Sequence, residues 1–265
     1  MSETVRLEVE IAARPETVFG FFTDPAAFGS WMGAAMGRAE IDPREGGAVT
    51  VDFSPAGPVV RGEVTAVEAP RRFAFTWGYD GSDELPPGSS TVTFDLEPTD
   101  HGTRVTLEHG GLPTAGLRDG HRGGHRVYLS LLAAGAARAE HGARLPGLAR
   151  AWFEAWNADE PEARQAAIAE CLADDGEFRH AWAAVRGRAD LSGHIAGSRS
   201  VMGGIRLEPA GKPEQCHGWM RFGWKAVKDG ATVSTGENVA VLDGSGRLRL
   251  VIGFTDPGSR FAPEV

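Results

Sequence analysis

The hydrophobic residues of this chain follow two periods, and the order in which those periods alternate leaves few folds open. Val5, Leu7, Val9 and Ile11 alternate with charged or small residues, the period-2 pattern of a half-buried strand. Behind Pro15, the residues Val18, Phe19 and Phe22 fall on one helical face, which predicts a helix over 15–22. A second short helix holding Ala26, Phe28 and Trp31 follows Asp24-Pro25. Six strand-like runs come next, at 39–41, 48–53, 59–67, 73–77, 90–96 and 103–108. Turn residues such as Gly46-Gly47, Pro70, Pro86-Pro87-Gly88 and Asp100-His101-Gly102 separate them. From Arg118 to about Ala143 an Ala- and Leu-rich helix carries Tyr128, Leu131 and Leu132 as its apolar stripe. A closing helix after a run of antiparallel strands predicts a sheet wrapped around it, an arrangement that often leaves a cavity.

The second half reverses the order, with helices first. A short linker is expected at 142–147, broken by Pro146, and helices over 148–157 and 161–172 follow. A strand at 177–182 and a helix at 190–198 precede three long strands at 215–227, 232–242 and 248–255. Lys228-Asp229-Gly230 and the run from Asp243 to Gly246 are the turns between those strands. At 265 residues the chain is long enough for about 1.8 domains of ordinary size. The expected organisation is therefore α+β with two domains, 1–144 and 147–265, each with a curved antiparallel sheet.

Composition narrows function by exclusion. Hydrophobic residues make up 42% and charged residues 24%, the balance of a globular chain. A net charge of −9 argues against nucleic acid as a partner. No apolar stretch reaches the length of a membrane span, and the first residues carry no secretory pattern. Two cysteines do not make a disulfide framework, so a reduced, cytoplasmic protein is expected. No P-loop, G-x-G-x-x-G, G-x-S-x-G or C-x-x-C pattern is present, which leaves nucleotide binding and a serine triad unsupported.

Motifs in the first half run in a definite order. They are Trp31, Glu40 to Gly47, Gly62-Glu63-Val64, Pro70 to Trp77, Ser90 to Thr93, Gly102 to His109 and Gly111-Leu112-Pro113. In order and spacing, residues 1–140 resemble the bacterial family named after the homologue of the activator of the heat-shock-protein-90 ATPase. That family lies within the START-like, helix-grip (SRPBCC) superfamily. The resemblance implies a helix-grip fold and an apolar ligand, and the family name alone raises a co-chaperone role. Where the family usually has Gly-Trp at the start of its final helix, this chain has Gly124-His125.

Residues 147–256 are similar to SnoaL-like proteins of the nuclear-transport-factor cone fold. The likeness rests on Phe153 to Asn157, Cys171 to Asp175, Arg186-Gly187-Arg188, the helix with His194, His217, Arg221 to Trp224, Gly236-Glu237-Asn238, Asp243 to Leu248 and Val251 to Phe254. It implies a cavity that binds a small hydrophobic or aromatic molecule. Members include polyketide cyclases, isomerases, dehydratases, epoxide hydrolases and non-catalytic binders. Two positions where relatives often carry Asp hold His180 and Asn238 here.

Candidate chemistry follows from placement. His180 and His217 are the expected proton-transfer groups, and Asn238 is the expected donor to a developing oxyanion. Trp152, Trp156, Trp182, Phe222, Trp224 and Phe254 are expected to line the pocket of the second domain. Trp31, Trp77, His109 and His125 are expected at a cavity of the first. His121 and His125 share a helix face, but Arg122 stands where a zinc protease would carry Glu, so no metal and no cofactor is expected. The function expected is binding of a small hydrophobic or aromatic metabolite, with cofactor-free acid–base conversion or a non-catalytic carrier role as alternatives. No membrane or nucleic-acid partner is expected, and homodimerisation is left open.

Overall fold

The computed structural model describes residues 4–33, 37–55 and 57–258. It is α+β and separates into two compact units, Met1–Glu140 and His141–Val265. Among the described residues, no helix is long and apolar enough to cross a membrane.

In the first unit, strand β1 (Val5–Ile11) leads to helices α1 (Pro15–Thr23) and α2 (Pro25–Met32). Pro15 and Pro25 occupy first turns, where a missing N–H costs nothing. Asp24 caps α2 by accepting from the backbone N–H groups of Ala26 (2.8 Å) and Ala27 (2.9 Å), an interaction worth about 1 kcal/mol. Strands β2 (Arg38–Ile41), β3 (Ala48–Asp52), β4 (Val59–Glu68), β5 (Arg72–Trp77), β6 (Ser90–Thr99) and β7 (Gly102–Gly110) precede the long helix α3 (Ala115–His141). All seven strands pair antiparallel in the order β1-β7-β6-β5-β4-β3-β2. Their inward face meets Leu129, Leu132, Ala133 and Ala136 of α3 in a helix-grip arrangement.

An aromatic cluster packs between sheet and helix. Phe22, Phe28, Trp31, Phe73, Phe75 and Phe94 interlock with ring centroids 4.7–6.5 Å apart. Trp31 is only 1% exposed, and its indole N–H donates to the Phe21 carbonyl at 2.9 Å. The expectation that Trp31 lines a ligand cavity is corrected: its ring is a core residue and its polar atom is already bonded.

The second unit opens with a turn of 3-10 helix, Gly142–Arg144, that runs directly into α4 (Leu145–Asn157). The short linker expected at 142–147 is helical, because Pro146 sits in the first turn of α4 rather than breaking a helix. Helix α5 (Pro161–Cys171), strands β8 (Leu172–His180) and β9 (Ala183–Arg186), and helix α6 (Arg188–Met202) follow. Strands β10 (Arg206–Cys216), β11 (Trp219–Lys228), β12 (Ala231–Leu242) and β13 (Leu248–Thr255) complete the unit. The six strands form one sheet in the order β10-β11-β12-β13-β8-β9, with β8 and β13 parallel and the other neighbours antiparallel. The sequence hides β10 because Pro209, Gly211 and Pro213 read as breakers; as an edge strand it tolerates them.

Candidate functional site

A cavity of 510 Å³ lies in the second unit, within the range of small-molecule sites. Helix α4 places Trp152 and Trp156 one turn apart on its buried face. Both rings pack against Phe178 of β8, at centroid distances of 5.4 and 5.7 Å. Trp224 and Ala226 of β11, Asn238 of β12 and Thr255 of β13 supply the sheet wall. His194, Ser198 and Met202 of α6 and Leu207 of β10 close it. Asn157 pins that last wall through two bonds with the Leu207 backbone, donating from Nδ2 at 2.7 Å and accepting at Oδ1 at 2.9 Å. Arg199 fixes the end of α4 by donating to the Trp156 carbonyl at 3.0 Å and pairing with Asp159.

Two glycines make the sheet wall concave. Gly236 pairs with Trp224, and a Cβ at Gly236 would lie 2.5 Å from the Trp224 ring. Only glycine lets the indole lie across β12. Gly253 pairs with Asn238, and a Cβ there would lie 3.2 Å from Asn238 Oδ1 and 3.1 Å from His180 Cδ2.

The polar groups of the cavity are few. His180 Nε2 is 3.1 Å from Thr255 Oγ1, and its ring lies parallel to Phe178. His194 Nε2 is 3.5 Å from Ser198 Oγ, and Trp156 meets the His194 ring edge-on. Burial holds both imidazoles below the usual range, and for His180 the charge of His194 adds to the effect. Each is neutral at pH 7 and able to accept a proton. Asn238 is 4% exposed, and its side-chain amide makes no hydrogen bond to a described residue. No Asp, Glu, Lys or Arg occurs among the fifteen lining residues.

Trp152, Trp156, Trp182, Trp224, His180 and Asn238 therefore share one cavity. Trp182, 64% exposed, stands at its rim in the turn after β8. Three expected residues lie elsewhere. His217 is exposed in the turn between β10 and β11 with φ of 52°, so its assignment as a proton-transfer group is corrected. Phe222 shares the inward face of β11 with Trp224 but is core, packed edge-on against Trp152 and Phe153, and is not among the lining residues. Phe254 is 57% exposed and points away from the cavity, because the inward face of β13 is Val251, Gly253 and Thr255. Conversely, the sequence reading overlooks His194, Ser198, Phe178 and Thr255. The spacing of His194, Ser198 and Val201 at i, i+4 and i+7 was the available signal for the α6 wall.

The first unit holds a second histidine group, inside the core. Ser90 Oγ donates to the Trp77 carbonyl at 3.0 Å, which uses its only proton. His109 Nε2 must then donate to Ser90 Oγ (2.9 Å), and His125 Nε2 donates to the bare His109 Nδ1 (2.9 Å). His121 Nδ1 donates to the Leu117 carbonyl at 2.8 Å, and Tyr79 O–H donates to His121 Nε2 at 3.1 Å. Burial pushes His109 down to about 2 and His125 to about 3, helped by neighbouring histidines, and burial also lowers His121. Trp77 packs edge-on against these rings. Trp77, His109 and His125 thus form a hydrogen-bonded core layer rather than the cavity wall expected of them. Among the described residues, no group of three His, Cys, Asp or Glu is arranged to hold a metal ion. The Cys171 thiol, pushed up to about 12 by burial, is no nucleophile.

Residues 12–136 match the family model described as Activator of Hsp90 ATPase homolog 1-like protein. That stretch is a domain of this family. Among solved structures, the AHSA1-like protein of Rhizobium etli is similar at 39% identity, with 51% of this chain and 82% of that chain covered and a TM-score of 0.41. The AHSA1 protein of Silicibacter pomeroyi is similar at 29% identity over 49% of this chain and 95% of that one, with a TM-score of 0.42. A putative isomerase of the SnoaL-like family from Agrobacterium tumefaciens is similar at 26% identity over 43% of this chain and 98% of that chain, with a TM-score of 0.41. No curated protein matches the chain.

Proposed function

We propose that the second unit takes up a small, uncharged hydrophobic or aromatic molecule and moves a proton on it with side chains alone, as a cyclase, isomerase, dehydratase or hydrolase does. The observation that carries this reading is the meeting of two neutral imidazoles and a free buried amide on one aromatic-walled cavity. The similarity of residues 147–256 to SnoaL-like proteins supports it. Asn238 donates Nδ2–H to a carbonyl oxygen of the bound molecule, which acidifies the neighbouring C–H. His180 or His194 takes that proton, and negative charge rests on the oxygen. The imidazolium then returns the proton to another carbon, so bonds and charge balance without an electron acceptor.

One observation favours a carrier instead. Among the described residues no Asp or Glu lines the cavity, so neither imidazole has there the carboxylate partner that commonly orients a catalytic histidine. The two readings separate in heavy water. A molecule that co-purifies with the full chain is identified by native mass spectrometry, then returned to the protein in D2O. A gain of one deuterium, lost when His180 and His194 are both changed to Ala, is the expected result. Binding without exchange leaves the carrier, and a chain that binds nothing in this cavity removes both.

A further inference from the structure

Asn238 sits in the middle of β12 on its inward face, where its neighbours two residues away are Gly236 and Ala240. Neither has a side chain that reaches the amide. Across the ladder Asn238 faces Gly253 on one side and Phe222 on the other, which again offer no polar atom from a side chain. The local sequence thus surrounds this amide with residues that cannot bond to it. It is nevertheless almost wholly buried, and it opens on the cavity. Buried amides in folded chains are otherwise bonded to protein or to water, so one left open on a cavity marks the place of an outside partner.

The rest of the lining sets the character of that partner. A charged molecule would lose its water and meet no counter-ion among the fifteen residues. Trp152, Trp156, Phe178 and Trp224 offer flat apolar faces. A primary amide presents an N–H donor and a C=O acceptor side by side, and its complement is an acceptor and a donor side by side. We infer that Asn238 selects an uncharged, planar, largely aromatic ligand through an adjacent donor–acceptor pair, the edge presented by a lactam or by a hydroxyl beside a carbonyl. The inference rests on the cavity being a ligand site, as proposed above, and adds which ligands it takes.

Four probes test it by titration calorimetry on the full chain: 2-quinolinone, N-methyl-2-quinolinone, naphthalene and 2-naphthoate. They share a two-ring core and differ in polar edge. 2-Quinolinone has donor and acceptor, its N-methyl form has the acceptor only, naphthalene has neither and 2-naphthoate is charged. The expected order is 2-quinolinone at least tenfold tighter than naphthalene, the N-methyl form between them, and 2-naphthoate weakest. In the N238L variant the affinities of 2-quinolinone and naphthalene should come within twofold of each other. Equal binding of 2-quinolinone and naphthalene by the natural chain, or tightest binding of 2-naphthoate, overturns the inference and leaves the cavity as a ligand site. A tenfold gap that persists in a folded N238L variant overturns it as well. Binding of none of the four overturns the ligand site itself and the inference with it. Should N238L fail to fold, the order among the four probes on the natural chain decides.

Discussion

His180 is held in the cavity by a hydroxyl at one nitrogen and an aromatic face along its ring. Replacing it with Ala removes a polar group that a bound carbonyl or hydroxyl would use. We expect His180→Ala to weaken ligand binding or turnover about tenfold, the ordinary worth of a hydrogen bond in a buried site. His217→Ala, in an exposed turn, should change either by less than twofold, and a titration of the two variants side by side checks this. Gly236→Ala is expected to destabilise the second unit by roughly 1–3 kcal/mol, because its Cβ would meet the Trp224 ring at 2.5 Å and the Phe254 carbonyl at 2.0 Å. A urea midpoint unchanged from the natural chain would show that the wall gives way more easily than the geometry implies. Sequence reading reached His180, Asn238 and all four lining tryptophans, of which Trp152, Trp156 and Trp224 lie on regular faces of a helix and a strand. It misplaced Phe254, since both faces of β13 are apolar and alternation alone does not say which is inward. It missed His194, because a histidine on a mixed helix face carries no mark of its own until the sheet opposite is known.

Elements of the first unit were legible almost throughout, since most strands alternate and are followed by turn residues rich in Gly and Pro. The histidine layer between β7 and α3 was not, because it depends on side chains from Tyr79 to His125 meeting across the fold. Its protonation follows a definite sign. In the unfolded chain these imidazoles titrate near 6.5. In the folded chain His109 and His125 lie at about 2 and about 3. Below pH 6.5 the unfolded chain therefore binds more protons. The stability these groups contribute is complete above that pH and is lost as pH falls toward 3, at roughly 1.4 kcal/mol per pH unit for each histidine. Long-range 15N spectra should show both rings neutral at pH 5, with the proton on Nε2. An imidazolium signal from either ring at pH 5 in the folded chain would contradict the hydrogen-bond order. In the second unit, β10 was concealed by its prolines, and the parallel pairing of β8 with β13 was concealed by the expectation of a purely antiparallel meander.

At the scale of the whole molecule, each unit has its own buried cluster, one built around Phe22, Trp31 and Phe94 and the other around Trp152, Phe178 and Phe222. We propose that each folds alone. Fragments cut between Glu140 and His141 should both be soluble and show cooperative melting, while aggregation of both would mean that the units share a core. Two cavities were expected from the two fold types. Trp31 and Trp77, expected at a cavity of the first unit, belong to its core, whereas the second unit has an open cavity whose sheet wall Gly236, Gly253 and Ala226 keep shallow. We propose that ligand binding belongs to this second cavity. Ala226 is buried in its wall, so Ala226→Trp fills the space with an indole without adding charge. The most direct measurement is calorimetric titration of 2-quinolinone into the full chain and into A226W. Saturable binding of one molecule per chain, weakened at least tenfold in a folded A226W variant, is the expected result; equal binding by both proteins would contradict it.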